Sequence, residues 1–96
     1  MMESNQDSQG KEEGYGQVVR QLSRKQRIVL DKLQNEDYLN SIARDMRMSF
    51  NGVKYHAEDL EDLGLIQKTG RVQGRQFWKT TQKGEIILDM VNIPNE

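Results

Sequence analysis

The sequence predicts a mainly helical α+β domain made of three helices, a β-hairpin and a final helix. Apolar residues recur at helical spacing in three stretches between Ser23 and Leu63, strand-forming residues cluster around two glycines between Leu65 and Thr81, and helical spacing returns from Gln82. With 96 residues, 34% of them apolar, the chain has room for one small domain. No apolar run exceeds three residues, far short of the ~20 that span a bilayer. The opening MMESNQDSQG has no apolar signal core, so a cytoplasmic protein without a membrane partner is expected.

Residues 1–16 are rich in Gly, Gln, Asn and Ser, with only Met1, Met2 and Tyr15 as large apolar groups, and are expected to form a disordered tail. The domain is expected over residues 17–93. Its first segment, Gln17 to Leu22, has too few apolar residues to decide between strand and helix. Ser23 with Gln26 fits a capping box, and Ile28, Val29, Leu30 and Leu33 give a first helix from about Arg24 to Gln34 an apolar side. Asn35, Glu36 and Asp37 break it. Leu39, Ile42, Ala43 and Met46 then recur at helical spacing as a short second helix. Ser49 is placed to cap a third helix, about Phe50 to Leu63, in which Val53, Ala57 and Leu60 form the inward stripe and Gly64 the stop.

From Leu65 onward Ile66, Thr69, Val72, Phe77, Trp78, Thr80 and Thr81 favour strands, and Gly70 and Gly74 bracket the expected turn. Thr81 can cap the last helix, Gln82 to about Val91, with Pro94 beyond its end. A domain of roughly 75 to 80 ordered residues gains only ~3–5 kcal/mol from a single core. With no Cys to cross-link it, a second copy is the most available support.

Two short helices separated by a tight turn, with the second running into a hairpin, are the parts of a helix-turn-helix with a wing. The string Ile42-Ala43-x-x-Met46-x-Met48-Ser49-x-x-x-Val53-x-x-His56-x-x-x-Leu60-x-x-x-Gly64-Leu65-Ile66 resembles the helix-turn-helix of winged-helix regulators of the MarR and ArsR type. Trp78-Lys79-Thr80-Thr81-Gln82-Lys83-Gly84 is similar to the junction that follows the wing in those families. The resemblance extends from about Ser23 to Val91 and implies double-stranded DNA as partner. Three positions depart from it. Ala57 stands where Leu is common, which implies a shallower contact of the third helix with the core. Arg47 stands where Gly is common in the turn, which implies a differently shaped turn, and Gly52 stands where Ser, Thr or Ala is usual, which would let backbone approach DNA.

With Val53, Ala57 and Leu60 inward, the third helix turns Asn51, Gly52, Lys54, Tyr55 and Glu58 outward. Together with Ser49 they are the expected major-groove face. Asn pairs with adenine, Lys donates to guanine or phosphate, Tyr offers a hydroxyl or an edge to a thymine methyl, and Glu58 can accept from a cytosine amino group. Overall charge is balanced, with 14 basic and 15 acidic residues. Residues 67–83 nevertheless hold Lys68, Arg71, Arg75, Lys79 and Lys83 and no acid. Lys68, Arg71, Arg75 and Lys79 are therefore the expected wing contacts to phosphate or minor groove. Glu58, Asp59, Glu61 and Asp62 lie in the C-terminal half of the recognition helix, away from the end that such proteins present to bases.

Ile86, Ile87, Met90 and Val91 spread apolar groups round the last helix and, with Ile93 and residues 17–22, are the expected homodimer interface. The single His56 has no ligand-spaced companion and is expected to pack a helix. Trp78 and Thr80 are expected at the base of the wing, with Phe77 facing the other way. No metal, cofactor or catalytic constellation is expected. The leading expectation is a sequence-preferring DNA-binding transcriptional regulator, not an enzyme. The alternative is a winged-helix module for protein contacts, favoured by the balanced charge and the acidic stripe.

Overall fold

The computed structural model describes residues 15–91. In chain order these form α1 (15–21), α2 (Arg24–Lys32), β1 (Asp37–Tyr38), α3 (Leu39–Met46), α4 (Phe50–Asp62), β2 (Ile66–Val72), β3 (Arg75–Thr80) and α5 (Gln82–Val91). The undecided segment is helical, and its helix takes in Tyr15 and Gly16 of the expected tail. Tyr15, Val18, Val19 and Leu22 share one face, with Leu22 in the core and the other three partly buried against it. The remainder of the tail and Ile93 lie outside the described residues.

α2 opens with the expected capping box. The Gln26 amide donates to Ser23 Oγ at 3.1 Å, and the Ser23 amide donates to Gln26 Oε1 at 3.0 Å. Gln26 then uses its Nε2 to donate to Asp59 Oδ2 at 3.0 Å, tying α2 to α4. The break after α2 contains β1, a strand too short to announce itself. Its partner identifies it: Asp37 pairs with Trp78 and Tyr38 with Phe77, in an antiparallel sheet of order β1-β3-β2.

The α3–α4 turn keeps a left-handed residue although it is not glycine. Arg47 has φ 57° and ψ 44°, and the Met48 amide closes the turn on the Ala43 carbonyl at 2.9 Å. The altered turn expected from Arg47 is not found; the chain bears ~1 kcal/mol of strain there instead. The hairpin turn is also displaced from its expected position. Gln73 and Gly74, at φ 53° and 80°, form a two-residue turn of the type that matches strand twist. Gly70 lies within β2, where the register slips between Lys68 and Gly70, and the extra residue, Thr69, donates its hydroxyl to Glu36.

One junction joins the ends of four elements. The Thr80 amide donates to the Leu33 carbonyl at 2.9 Å, and Thr80 Oγ1 donates to the Leu30 carbonyl at 2.8 Å. The Thr81 amide donates to the Leu65 carbonyl at 2.9 Å, and its hydroxyl donates to Gly64 O at 2.7 Å while accepting from the Gly84 amide at 3.1 Å. Lys83 Nζ donates to the Leu63 carbonyl at 3.0 Å, closing the end of α4. Gly84 is buried here, and a Cβ at this position would stand 2.2 Å from Leu65 O and 2.6 Å from Thr80 Cγ2. No helix among the described residues is long and apolar enough to cross a membrane.

Replacing Gly84 by Ala sets two effects against each other. Helix propensity would gain ~1 kcal/mol, but the clash is with backbone and cannot be relieved by turning a side chain. The clash is expected to win, with a net loss of about 2–3 kcal/mol read as a lower urea midpoint. An unchanged midpoint would show that α5 can move off the loop between α4 and β2 freely.

Candidate nucleic-acid interface

The outward face of α4 begins at its cap. Ser49 Oγ accepts from the Gly52 amide at 3.0 Å, so this hydroxyl is engaged in holding the helix start. A Cβ at Gly52 would lie 3.2 Å from both Ser49 Oγ and Met48 Cε. The missing side chain therefore makes room for the cap. Val53, Ala57 and Leu60 are fully buried, and Asn51, Lys54, Tyr55 and Glu58 are exposed, Tyr55 to 65%.

Between α4 and the wing lies an open cleft of about 400 Å³. α4 contributes Phe50, Lys54 and Glu58, which recur every four residues and so share a stripe. The wing contributes Lys68, Arg71, Gly74, Arg75, Gln76 and Trp78, and Tyr38, Leu39 and Asn40 close the end beside α3. Lys54 of α4 is thus brought to one cleft with the hairpin cations Lys68, Arg71 and Arg75, and Glu58 is the one carboxylate in its lining.

The expected recognition set divides in two. Lys54 and Glu58 face the wing, while Asn51 and Tyr55 stand one position further round the helix, exposed but outside the cleft. Lys79 does not join the other wing cations. It lies outside the cleft lining, near the end of β3, where its Nζ donates to the Gln34 carbonyl at 3.5 Å. Asp59 is engaged by Gln26, and neither it, Glu61 nor Asp62 lines the cleft.

Two of the cleft cations lie over aromatic rings: Arg75 Cζ is 4.7 Å from the Tyr38 ring centre and Lys68 Nζ is 5.4 Å from that of Trp78. Trp78 and Thr80 are buried at the wing base as expected, and Phe77 turns to meet Tyr38 edge-on at 5.4 Å. Phe50, Tyr38 and Asn40 were not among the expected site residues. Phe50 was legible in principle, since an exposed aromatic directly after an N-cap and four residues before Lys54 has no core to fill. Tyr38 depended on the unforeseen strand β1.

Of the four residues expected at a dimer interface, Ile87 is completely buried within the chain and is not available to a partner. α5 turns Gly84, Ile87 and Leu88 inward against the rest of the domain. Ile86 and Met90 remain exposed at 38% and 37%, and Val91 is half-buried against the core. His56 is half-buried on α4, with its Nδ1 enclosed and without a hydrogen-bond partner. Among the described residues no cluster of three or more His, Cys, Asp or Glu side chains could hold a metal.

α3, the left-handed turn and α4, followed by the β2–β3 hairpin, define a winged helix-turn-helix, the fold of MarR-family transcription regulators. Crystal structures of that family superpose on the chain. The multidrug-efflux regulator MepR of Staphylococcus aureus matches 93% of the chain and 70% of its own, with a TM-score of 0.69 and 18% identity. A MepR variant bound to an oligodeoxyribonucleotide matches 92% and 67%, with a TM-score of 0.67 and 21% identity. The zinc-responsive regulator ZitR of Lactococcus lactis matches 72% of the chain at a TM-score of 0.65 and 19% identity, and the chain spans about half the length of ZitR. No family model and no curated protein matches the sequence itself.

Proposed function

We propose that this chain binds double-stranded DNA with a sequence preference and regulates transcription inside the cell. α4 would enter the major groove by its N-terminal half while the hairpin rests on phosphates or in the adjacent minor groove. The observation that carries this reading is the convergence of Lys54, Lys68, Arg71 and Arg75 on the cleft between α4 and the wing, in a chain whose overall charge is −1. Segregated cations of this kind neutralise phosphates and release counterions, which supplies affinity for any duplex. The exposed Asn51 and Tyr55 add donors and acceptors suited to base edges. The likeness in fold to a regulator solved with an oligodeoxyribonucleotide supports the same reading. Binding, with no chemical step, is the whole of the proposed activity, and no cofactor enters it.

Selection of sites from random duplexes, followed by salt titration of the selected and random pools, tests the proposal. Arg71→Ala with Arg75→Ala is expected to weaken binding to both pools and to lower the salt slope by up to about 2. Asn51→Ala or Lys54→Ala is expected to cost ~1–3 kcal/mol on the selected site and much less on random DNA. Failure to enrich any site, with no salt-dependent binding, would favour the protein-contact module instead.

We also propose a homodimer that sets two α4 helices about 34 Å apart on a pseudo-palindromic site. Ile86 and Met90, with Val91 beside them, are the apolar groups of α5 left for a partner copy. Full burial of such side chains contributes roughly 1.5–3 kcal/mol each. Ile86→Asp with Met90→Asp is expected to halve the mass seen in light scattering without unfolding the chain. A persisting dimer would place the interface on another face.

A further inference from the structure

We infer that Tyr38 is a positioning residue for Arg75: its ring holds the guanidinium over the cleft so that the wing arginine is presented to a backbone phosphate already oriented. The inference rests on the proposed reading of the cleft as a DNA interface.

Arg75 is the first residue of β3, directly after the two-residue turn, and is exposed. An arginine so close to a hairpin tip would ordinarily sample many rotamers, all but a few of which must be given up on docking. Here its Cζ lies 4.7 Å from the centre of the Tyr38 ring, inside the distance at which a guanidinium is attracted to an aromatic face. The ring is itself held. Tyr38 pairs with Phe77 across the β1–β3 ladder, and the Phe77 ring meets it edge-on at 5.4 Å. Leu39, the next residue, is buried and starts α3. Tyr38 is therefore anchored both to the wing and to the first helix of the helix-turn-helix.

The manner of holding suits the task. A carboxylate partner would occupy the in-plane N–H donors of Arg75 and cancel its charge, whereas stacking uses the flat face and leaves those donors free for a bidentate phosphate contact. Among the described residues the one ion pair is Lys32 with Asp45, on another part of the domain. Lys68 over Trp78 repeats the device on the neighbouring strand. Trp78 is a core residue, so Tyr38 offers the cleaner test.

The test measures duplex affinity and salt slope for the wild type, Tyr38→Phe, Tyr38→Leu, Arg75→Ala and the Tyr38→Leu/Arg75→Ala pair. Tyr38→Phe keeps the ring and is expected to bind like wild type. Tyr38→Leu is expected to lose about two- to five-fold in affinity with the salt slope unchanged, because no charge is removed. In the Arg75→Ala background the same change is expected to cost nothing further. Equal losses in both backgrounds, or no loss in the wild-type background, would overturn the inference. A second measurement needs no variant: in the free protein the Arg75 side-chain proton resonances are expected to be shifted upfield by the Tyr38 ring, and their absence from that region would also overturn it. Should the upfield shift be present while the wild type binds no duplex, the DNA reading has failed and the positioning role falls with it, though the stacking itself stands.

Discussion

The contact of Gly84 with the carbonyl of Leu65 is the constraint on which the rest of the domain depends. It brings the start of α5 against the loop between α4 and β2, and the hydroxyls of Thr80 and Thr81 satisfy carbonyls of α2 and of that loop at the same place. Buried hydrogen bonds contribute only ~1 kcal/mol net apiece, but leaving their acceptors unpaired would cost more. The junction thus fixes where β2 leaves α4 and where β3 returns. That geometry determines the width of the cleft between the wing and the outward face of α4. The cleft carries the cations, so the function proposed here depends on a residue that touches none of them.

Charge is arranged by the fold. The chain has slightly more acid than base, and at physiological salt a phosphate more than about 8 Å from a charge feels little of it. What matters is therefore the local set, and in the cleft that set is four cations to one carboxylate. The acids of α4 lie largely elsewhere, Asp59 being held by Gln26 of α2. The acidic stripe that favours a protein-contact module in the sequence thus includes a residue with a structural task.

The three helices and the final one were legible because their signals are local: a capping box at Ser23, caps at Ser49 and Thr81, and a stop at Gly64. The inward stripe of α4 followed from spacing alone. β1 was not legible, since two residues carry no periodicity and the strand exists only by pairing with β3. For the same reason Tyr38 was missed. Lys79 and Ile87 illustrate a different limit. Composition placed Lys79 in a basic segment and Ile87 on an apolar helix, but it is the packed chain that sets Lys79 at the Gln34 carbonyl, outside the cleft, and Ile87 in the core. Arg47 shows local preference yielding to tertiary demand, its left-handed backbone being retained at a cost that glycine would have avoided.

The central claim is that the cleft between α4 and the wing is where duplex DNA is held. It is tested most directly by titrating isotopically labelled protein with a short duplex and following the backbone amide resonances. Changes concentrated at Phe50 to Glu58 and at Lys68 to Gln76, with Ile86, Met90 and Lys79 little affected, are the predicted result. Changes centred on Asp59 to Asp62 or on α5, with the wing unmoved, would contradict it.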